Sequence, residues 1–452
     1  MKNPIRRAAA FLCVVLLCVQ PFAAGASYTD AELHEAAAGI VMWKKQAVGA
    51  EGELLVSLSP SAGSSAVDWY AMAVGRMGAE TGDGYLAALR RYVEECYRTA
   101  DRLDAKRATE WHRIALTVLA LGGDPTAFGT AADGTPIDLI ADGTYNRART
   151  APLGAQGVNG YIWALLTLDA GHFDVPAGAA DTRASMIAAI GEKQLESGGV
   201  TLDGKAASVD LTAMAVTALA PYYADTAYPS VRETIDRALG YLAARQNAEG
   251  DFSSFGQPNA ESTAQVLIAL CALGIDPATD ERFIKEGHTV TDGLMTYRRA
   301  NGGFAHIRSG DANSMASEQT LCALNALERF RAGERAFYDM TGKHAAPPTP
   351  PSTTADPVTP PSTAAEPTTR PTVPSVTDVA DEQPTTETTT QTTASASEPS
   401  MTAWTTTLPT TTTDDAPPTN RSMFLWIGMG IVGAAAAAVA VVIVYRRRTG
   451  KE

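Results

Sequence analysis

The sequence predicts an all-α protein: an α/α toroid of about six helical hairpins in a closed ring, followed by a disordered stalk and one transmembrane helix. Three observations lead to this prediction. Apolar helical segments recur along the first part of the chain, a Thr- and Pro-rich stretch follows them, and an uncharged apolar segment ends in a cluster of arginines. Together they divide the 452 residues into a folded domain and the segments that would export and anchor it.

The N-terminus has the pattern of a secretory signal peptide, residues 1–26. A basic stretch that includes Arg6 and Arg7 precedes an apolar run over residues 8–19, and small residues at 24–26 form a cleavage site. The apolar run is shorter than the roughly 20 residues that a membrane-spanning helix needs, which disfavours an N-terminal anchor. We therefore expect an exported protein.

The C-terminal part has two compositions that do not fit a packed domain. Residues 345–421 are almost entirely Thr, Pro, Ser, Ala and acidic residues, which bury too little apolar surface to fold and should form an extended stalk. Residues 422–445 are apolar and uncharged, and a basic tail, residues 446–452, follows them. This pattern predicts one transmembrane helix, with the tail in the cytoplasm and the domain outside. The basic tail disfavours the alternative, a lipid-anchor signal.

The remaining segment, residues 27–344, is long enough to bury a core without covalent links. Only Cys96, Cys271 and Cys322 remain after removal of the signal peptide, an odd number without zinc-like spacing. The formal net charge of −14 argues against nucleic acid as a partner and against adhesion to anionic lipid. Packing, rather than disulfides or metal, is expected to hold this domain together.

An internal repeat dominates the folded segment. An acidic or polar residue followed by a helix rich in small apolar residues occurs six times, at intervals of 42 to 56 residues, so one repeat corresponds to a pair of helices. These inner helices are apolar nearly all round and should be buried on most sides. A closed ring achieves this better than an open superhelix, which exposes one face of its inner helices. The six copies begin at Asp68, Glu110, Asn159, Asp210, Glu261 and Ser317.

Charged residues at helical spacing mark the segments between the inner helices, which should form an outer layer. Asp-Pro breakers at residues 124–125 and 276–277 end two of the inner helices. The predicted outer segments are residues 31–45, 85–102, 182–195, 230–245 and about 290–299.

Three turns between outer and inner helices share a pattern of Gln, Gly and an aromatic or apolar residue, with Arg in place of Gln in the third. The pattern resembles the repeat of the squalene cyclase and protein prenyltransferase superfamily, which includes cobalamin carriers similar to transcobalamin. The resemblance covers residues 27–338 and implies the α/α toroid, here in a surface-anchored bacterial member, but it does not select a function. The turns are Gln194 to Val200, Gln246 to Phe252 and Arg299 to Phe304.

Neither enzymatic branch of that superfamily matches at its catalytic motif. Cyclases of the superfamily carry Asp-x-Asp-Asp-Thr-Ala, in which the middle Asp protonates the substrate. The resemblance aligns Asp210 with that middle Asp, but both neighbouring acids are replaced here. Prenyltransferases would need Asp, Cys and His around zinc, and the histidines are scattered. We therefore expect no metal and no catalysis, and Asp210 as the catalytic acid if the protein is an enzyme.

Candidate ligand contacts follow from the fold that the resemblance implies. The N-termini of the inner helices meet at one mouth of the ring, where polar and aromatic side chains would suit a large amphipathic ligand. Asp68, Asn159 and Asp210 also fit helix caps. The candidate tryptophans Trp69, Trp111 and Trp163 also fit ordinary core. The candidates are Asp68, Trp69, Tyr70, Glu110, Trp111, Asn159, Tyr161, Trp163, Asp210, Glu261, Gln265, Glu318 and Gln319.

Export without a complete catalytic motif favours a cell-surface binder of an amphipathic ligand that passes it to a transport partner. The carrier branch suggests cobalamin or another corrinoid as the ligand. One alternative is a terpene cyclase or prenyltransferase-like enzyme. Another is an adhesion or envelope-interaction module whose pocket is filled by its own side chains.

Overall fold

The structure is a computed structural model that describes residues 28–341. The predicted signal peptide, stalk, transmembrane helix and basic tail lie outside the described residues. Within residues 28–341, no helix combines the length and the apolar character needed to span a membrane. The same range contains thirteen α-helices and four strands of two or three residues.

The helices follow one another in a regular outer and inner order. They are α1 (Asp30–Ala47), α2 (Leu54–Leu58), α3 (Ser65–Met77), α4 (Asp83–Ala100), α5 (Thr109–Ala120), α6 (Leu139–Gly143), α7 (Val158–Ala170), α8 (Arg183–Gly191), α9 (Val209–Leu219), α10 (Pro229–Ala243), α11 (Ala260–Ala272), α12 (Val290–Met295) and α13 (Ser314–Arg331). The strands form two antiparallel hairpins, β1 (Val200–Thr201) with β2 (Ala207–Ser208) and β3 (Phe252–Ser254) with β4 (Gln257–Asn259).

Six inner helices close into a ring. Each of α3, α5, α7, α9, α11 and α13 contacts the next, and α13 contacts α3. All six are buried along most of their length, as expected for helices whose apolar residues extend around the whole circumference. The predicted α/α toroid is therefore confirmed for the described residues.

The outer layer is less regular than the inner ring. Helices α6, α8, α10 and α12 pack against the inner helix that precedes each of them, and α1 packs against α13. The short helices α2 and α6 were not predicted, because five residues are too few to show helical periodicity. The predicted outer segments 182–195 and 290–299 are shortened to α8 and α12, because their last residues form the turns into the next inner helix.

The glutamine turns join neighbouring repeats. Gln194 Nε2 donates at 2.8 Å to two carbonyl oxygens, that of Gly198 in its own turn and that of Thr234 in α10. Gln246 Nε2 repeats the arrangement, with bonds of 3.0 Å to its own turn and 2.9 Å to Phe283. The glutamine side chain of the motif therefore links each turn to the outer segment of the following repeat.

The glycine of each turn allows a close approach to the next outer segment. Gly198, Gly250 and Gly302 have φ angles of 85°, 86° and 91°, in the left-handed region that favours glycine. A Cβ at these positions would lie 2.1 to 2.6 Å from a backbone oxygen of the neighbouring segment. Each turn is completed by a hydroxyl from the following inner helix, which accepts a backbone N–H bond: Thr212 from Val200 (2.8 Å), Thr263 from Phe252 (3.0 Å) and Ser317 from Phe304 (2.8 Å).

Candidate functional site

Asp68 lies in a buried network that joins three helices. Its carboxylate accepts from Arg113 Nε at 2.9 Å, from the Tyr85 hydroxyl at 2.5 Å and from the Gly63 amide at 3.0 Å. Arg113 also donates to Glu110, at 2.8 Å. Asp68 is fully buried, so the network holds α3, α4 and α5 together without offering an atom to a ligand.

Trp111 faces the outer layer and not the centre of the ring. Its Nε1 donates to the Tyr97 hydroxyl at 2.8 Å, and Tyr97 in turn donates to Asp142 at 2.6 Å. The Arg147 guanidinium lies 5.0 Å from the centre of the Trp111 ring. With 1% of its surface exposed, Trp111 is a core residue that anchors α4 and α6 to α5.

A buried carboxyl and a lysine lie near the N-terminal mouth, at the N-termini of the inner helices. Lys44 Nζ donates to Ser314 Oγ at 2.7 Å and lies 4.4 Å from the centre of the Tyr70 ring. Glu318 is buried, and its Oε2 has no hydrogen-bond partner among the described residues. Burial raises the pKa of Glu318 well above its usual range, although Lys44 opposes the shift. Folding therefore favours the protonated form of the Glu318 carboxyl.

Two further acids at this mouth are bonded to side chains of the turns. Glu261 Oε2 lies 2.7 Å from His306 Nδ1, and this hydrogen bond is the main reason that the pKa of His306 is raised. Asp210 accepts from Ser254 Oγ at 2.9 Å. The ring of His306 is half exposed, so this pair forms an accessible, polar rim of the N-terminal mouth.

None of the three polar candidates considered as caps forms a helix cap. The N-caps with side-chain bonds are Ser64 for α3 and Ser208 for α9, which places the cap of α9 two residues before Asp210. Helix α7 begins after Gly157 without a side-chain cap, and Asn159 Oδ1 has no partner among the described residues. The cap interpretation is therefore wrong for Asp68, Asn159 and Asp210.

Aromatic side chains of the protein itself occupy the centre of the ring. The ring centres of Trp69 and Trp163 lie 5.2 Å apart, and those of Trp163 and Tyr338 lie 5.9 Å apart. On the N-terminal side, Gln265 Nε2 donates to Gln319 Oε1 at 3.1 Å and links α11 to α13. Of the remaining candidates, Tyr70 is fully buried and Tyr161 is partly buried against the core.

A cavity of about 410 Å³ lies at the opposite mouth, at the C-termini of the inner helices. Leu166, Thr217 and Ile268 are among its lining residues, one each from α7, α9 and α11. Residues 336–339, which follow α13, form another part of its wall. None of the candidate residues from the sequence analysis lines this cavity.

A salt bridge gives the cavity a polar end. Asp169 accepts from Arg183 Nε and from the Tyr222 hydroxyl, both at 2.7 Å. Burial raises the pKa of Asp169, and the two hydrogen bonds oppose that shift. An apolar wall with a few convergent polar groups is the usual character of a small-molecule site.

A signal for this cavity was present in the sequence. On α7, Asn159, Trp163, Leu166 and Ala170 follow one another at steps of four, three and four, so they share one helix face. Only Asn159 and Trp163, the first half of this series, belong to the candidates predicted from the sequence. Lys44 and His306 had no comparable signal, because their partners Ser314 and Glu261 lie 270 and 45 residues away in the sequence.

No group of three or more His, Cys, Asp or Glu side chains that could hold a metal ion is found within residues 28–341. The cysteines of this range, Cys96, Cys271 and Cys322, form no disulfide with one another.

Comparisons with known proteins give no family assignment. No family model matches the sequence, and no curated protein is significantly similar to it. Among solved structures, the unsaturated glucuronyl hydrolase of Bacillus sp. GL1, described as responsible for the degradation of glycosaminoglycan, aligns with 70% of this chain and 100% of its own. The sequence identity is 13% and the TM-score is 0.37, too low to carry over fold or function. The closed ring thus rests on the helix contacts of this chain itself.

Proposed function

We propose that residues 28–341 are a non-catalytic binding domain whose ligand is a small amphipathic molecule held in the cavity at the C-terminal mouth. One observation carries this proposal. The cavity combines an apolar wall, which includes Leu166 and Ile268, with a polar end at Asp169 and Arg183. Its volume of about 410 Å³ lies within the range of about 300 to 1,000 Å³ typical of small-molecule pockets.

The state of the acids at the other mouth supports a binding domain over an enzyme. Glu318, the carboxyl whose raised pKa fits a proton donor, is 2% exposed and is therefore out of reach of a substrate. Asp210 bonds to a serine hydroxyl at 2.9 Å, and the acids that would polarise it in the cyclase motif are replaced. Glu318 and Asp210 thus give the cyclase-like alternative no support.

The proposal extends to the setting that the sequence predicts. The repeated glutamine turns support a place in the squalene cyclase and prenyltransferase superfamily, and the predicted signal peptide and transmembrane helix would present the ring outside the cell. A transport partner would then receive the ligand. A corrinoid gains no support within residues 28–341, because Trp69, Trp163 and Tyr338 occupy the centre of the ring.

Dye binding by the full chain tests the cavity. Anilinonaphthalene sulfonate, an amphipathic dye, should bind at one site, and Ala272→Phe should weaken binding at least about tenfold, or about 1.4 kcal/mol, because the new ring fills the cavity. Ala188→Phe, on the exposed surface of α8, is the matched control and should leave the affinity unchanged.

Two results would contradict the proposal. Equal dye affinity in both variants would show that the dye does not use the cavity. Cyclisation of an isoprenoid by the purified protein, lost in Asp210→Asn, would show that the domain is an enzyme.

An adhesion or envelope-interaction module remains the second candidate, and the filled centre of the ring favours it. In that case ligands would contact the outer rim. Binding of the full chain to cell-wall polysaccharide, unaffected by Ala272→Phe, would support adhesion over the cavity proposal.

A further inference from the structure

The chain turns back into the ring after α13. Residues 336–340, here called the plug, enter the C-terminal mouth. Phe337, Tyr338 and Met340 are 2%, 8% and 0% exposed, so the plug contributes to the core of the ring although it belongs to no helix. It also forms part of the cavity wall.

Three hydrogen bonds join the plug backbone to the ring. Arg76 Nη2, from the last turn of α3, donates to the carbonyl oxygens of Ala336 at 3.0 Å and Asp339 at 3.1 Å. The Met340 amide donates to the Ala170 carbonyl at the end of α7, at 2.8 Å. These bonds, unlike those of the inner helices, are not part of a continuous ladder, and local opening breaks only a few of them.

Arg76 is an unusual partner for a backbone segment. It is 4% exposed, forms no ion pair among the described residues, and its Nε has no hydrogen-bond partner there. Burial lowers the pKa of Arg76 to about 10, and Arg329 adds to this shift while the charges of Asp339 and Glu334 oppose it, so the group is still charged near neutral pH. A buried cation held by carbonyl oxygens is better matched by an anion.

Behind the plug lies an aromatic surface. The Tyr338 ring packs edge-on against Trp163, which contacts Trp69. Withdrawal of Phe337 and Tyr338 would therefore join the cavity to the space that these two rings fill and would expose Trp163 as its floor.

We propose that the plug is a replaceable occupant of the ring, and that its withdrawal opens a larger site for an apolar, polycyclic or elongated molecule with one anionic head. The apolar body replaces Phe337 and Tyr338 against Trp163, and the head replaces the two carbonyl oxygens at Arg76. This inference rests on the proposed binding function for its setting, but it concerns a different and larger space.

Pyrenebutyrate, a polycyclic body with one carboxylate, is the probe for this site in the full chain. Tyr338→Ala should tighten its binding at least about tenfold, equivalent to about 1.4 kcal/mol, and the bound probe should quench tryptophan fluorescence. Phe255→Ala, at a 59% exposed aromatic residue, is the matched control and should not change binding. Adding Arg76→Gln to Tyr338→Ala should remove most of the gain for pyrenebutyrate but not for uncharged pyrenebutanol.

A folded Tyr338→Ala protein that binds pyrenebutyrate no more tightly than wild type would overturn the inference. If that variant does not fold, hydrogen exchange in the wild-type chain decides. The Met340 amide should exchange through local opening, faster than the amides in the middle of α7. Exchange of both at the same slow rate would mean that the plug leaves only on global unfolding, and the inference would be wrong.

The two proposals fail separately. If Ala272→Phe has no effect on the binding of anilinonaphthalene sulfonate, the cavity proposal is wrong. The plug proposal is tested separately by adding Arg76→Gln to Tyr338→Ala, because Tyr338 lines the cavity whereas Arg76 does not.

Discussion

Glu318 is the residue whose protonation most directly links the interior of the ring to pH. Burial has the largest effect on its pKa and raises it. Among the charged groups, Lys44 and Arg113 lower this pKa, and Glu261 and Asp68 raise it. Folding therefore favours the protonated carboxyl, whereas the same group ionises with its ordinary pKa in the unfolded chain.

The sign of the resulting pH dependence is fixed by this difference. Because the folded state binds the Glu318 proton more tightly, its stabilising effect is fully present below the unfolded pKa of about 4.3 and is lost as pH rises toward the folded pKa. Glu318→Gln should therefore raise the midpoint of urea unfolding at pH 7 and leave it nearly unchanged at pH 4. Glu95→Gln, at an exposed ion pair, is the control and should shift the midpoint little at either pH. A Glu318→Gln protein less stable than wild type at pH 7 would mean that the carboxyl is ionised and paired.

Individual side-chain roles were the least predictable part of the sequence. The sequence offered helix caps as the alternative to ligand contacts for Asp68, Asn159 and Asp210, but Asp68 is held by Tyr85 and Arg113, and the cap of α9 is Ser208. A cap depends on the residue at which the helix begins, and a repeat pattern locates that residue only to within a turn. Tertiary partners then decide what a nearby carboxylate does.

The repeated turns are the element on which the ring depends, and local sequence predicts them well. A glycine with positive φ and a glutamine four residues before it are short-range requirements, so the motif can be recognised from sequence alone. The plug could not be predicted in this way, because Arg76 contacts Ala336 across a separation of 260 residues.

Replacing a turn glycine by alanine can lower the free energy of unfolding in two ways, through steric contact of the new Cβ and through the left-handed backbone conformation. Two glycines of this chain separate these effects. Gly250 and Gly204 have φ angles of 86° and 83°, but a Cβ at Gly250 would lie 2.1 Å from the Thr289 carbonyl oxygen, whereas one at Gly204 meets nothing within 4 Å. Gly204→Ala should therefore cost only the left-handed conformation, about 1–2 kcal/mol. Gly250→Ala should cost more than this in urea unfolding, because α12 must move away. Equal costs would show that the close approach has no energetic consequence.

At the scale of the whole molecule, the closed ring distinguishes this domain from an open array of helical pairs. Helix α13 contacts α11 on one side and α3 on the other, and α1 packs on its outer side. An open array transmits a local loss of stability mainly to its neighbours, because each repeat contacts only the adjacent ones. In a ring, every inner helix contacts two neighbouring inner helices. We therefore expect that weakening one helix–helix contact lowers the stability of all six inner helices.

A substitution that leaves a cavity beside α13 tests this coupling. Leu321 is fully buried, and Leu321→Ala should reduce the free energy of unfolding by about 2–5 kcal/mol. If the ring unfolds as one unit, the free energy of opening measured by hydrogen exchange should fall by the same amount in α7 as in α13. The comparison uses the most protected amides of α7, which lies on the far side of the ring. Leu58→Ala, in the short helix α2 outside the inner ring, is the matched control and should lower the protection of α7 less. Acceleration confined to α13, α11 and α3 would mean that the repeats unfold separately and that closure of the ring does not couple them.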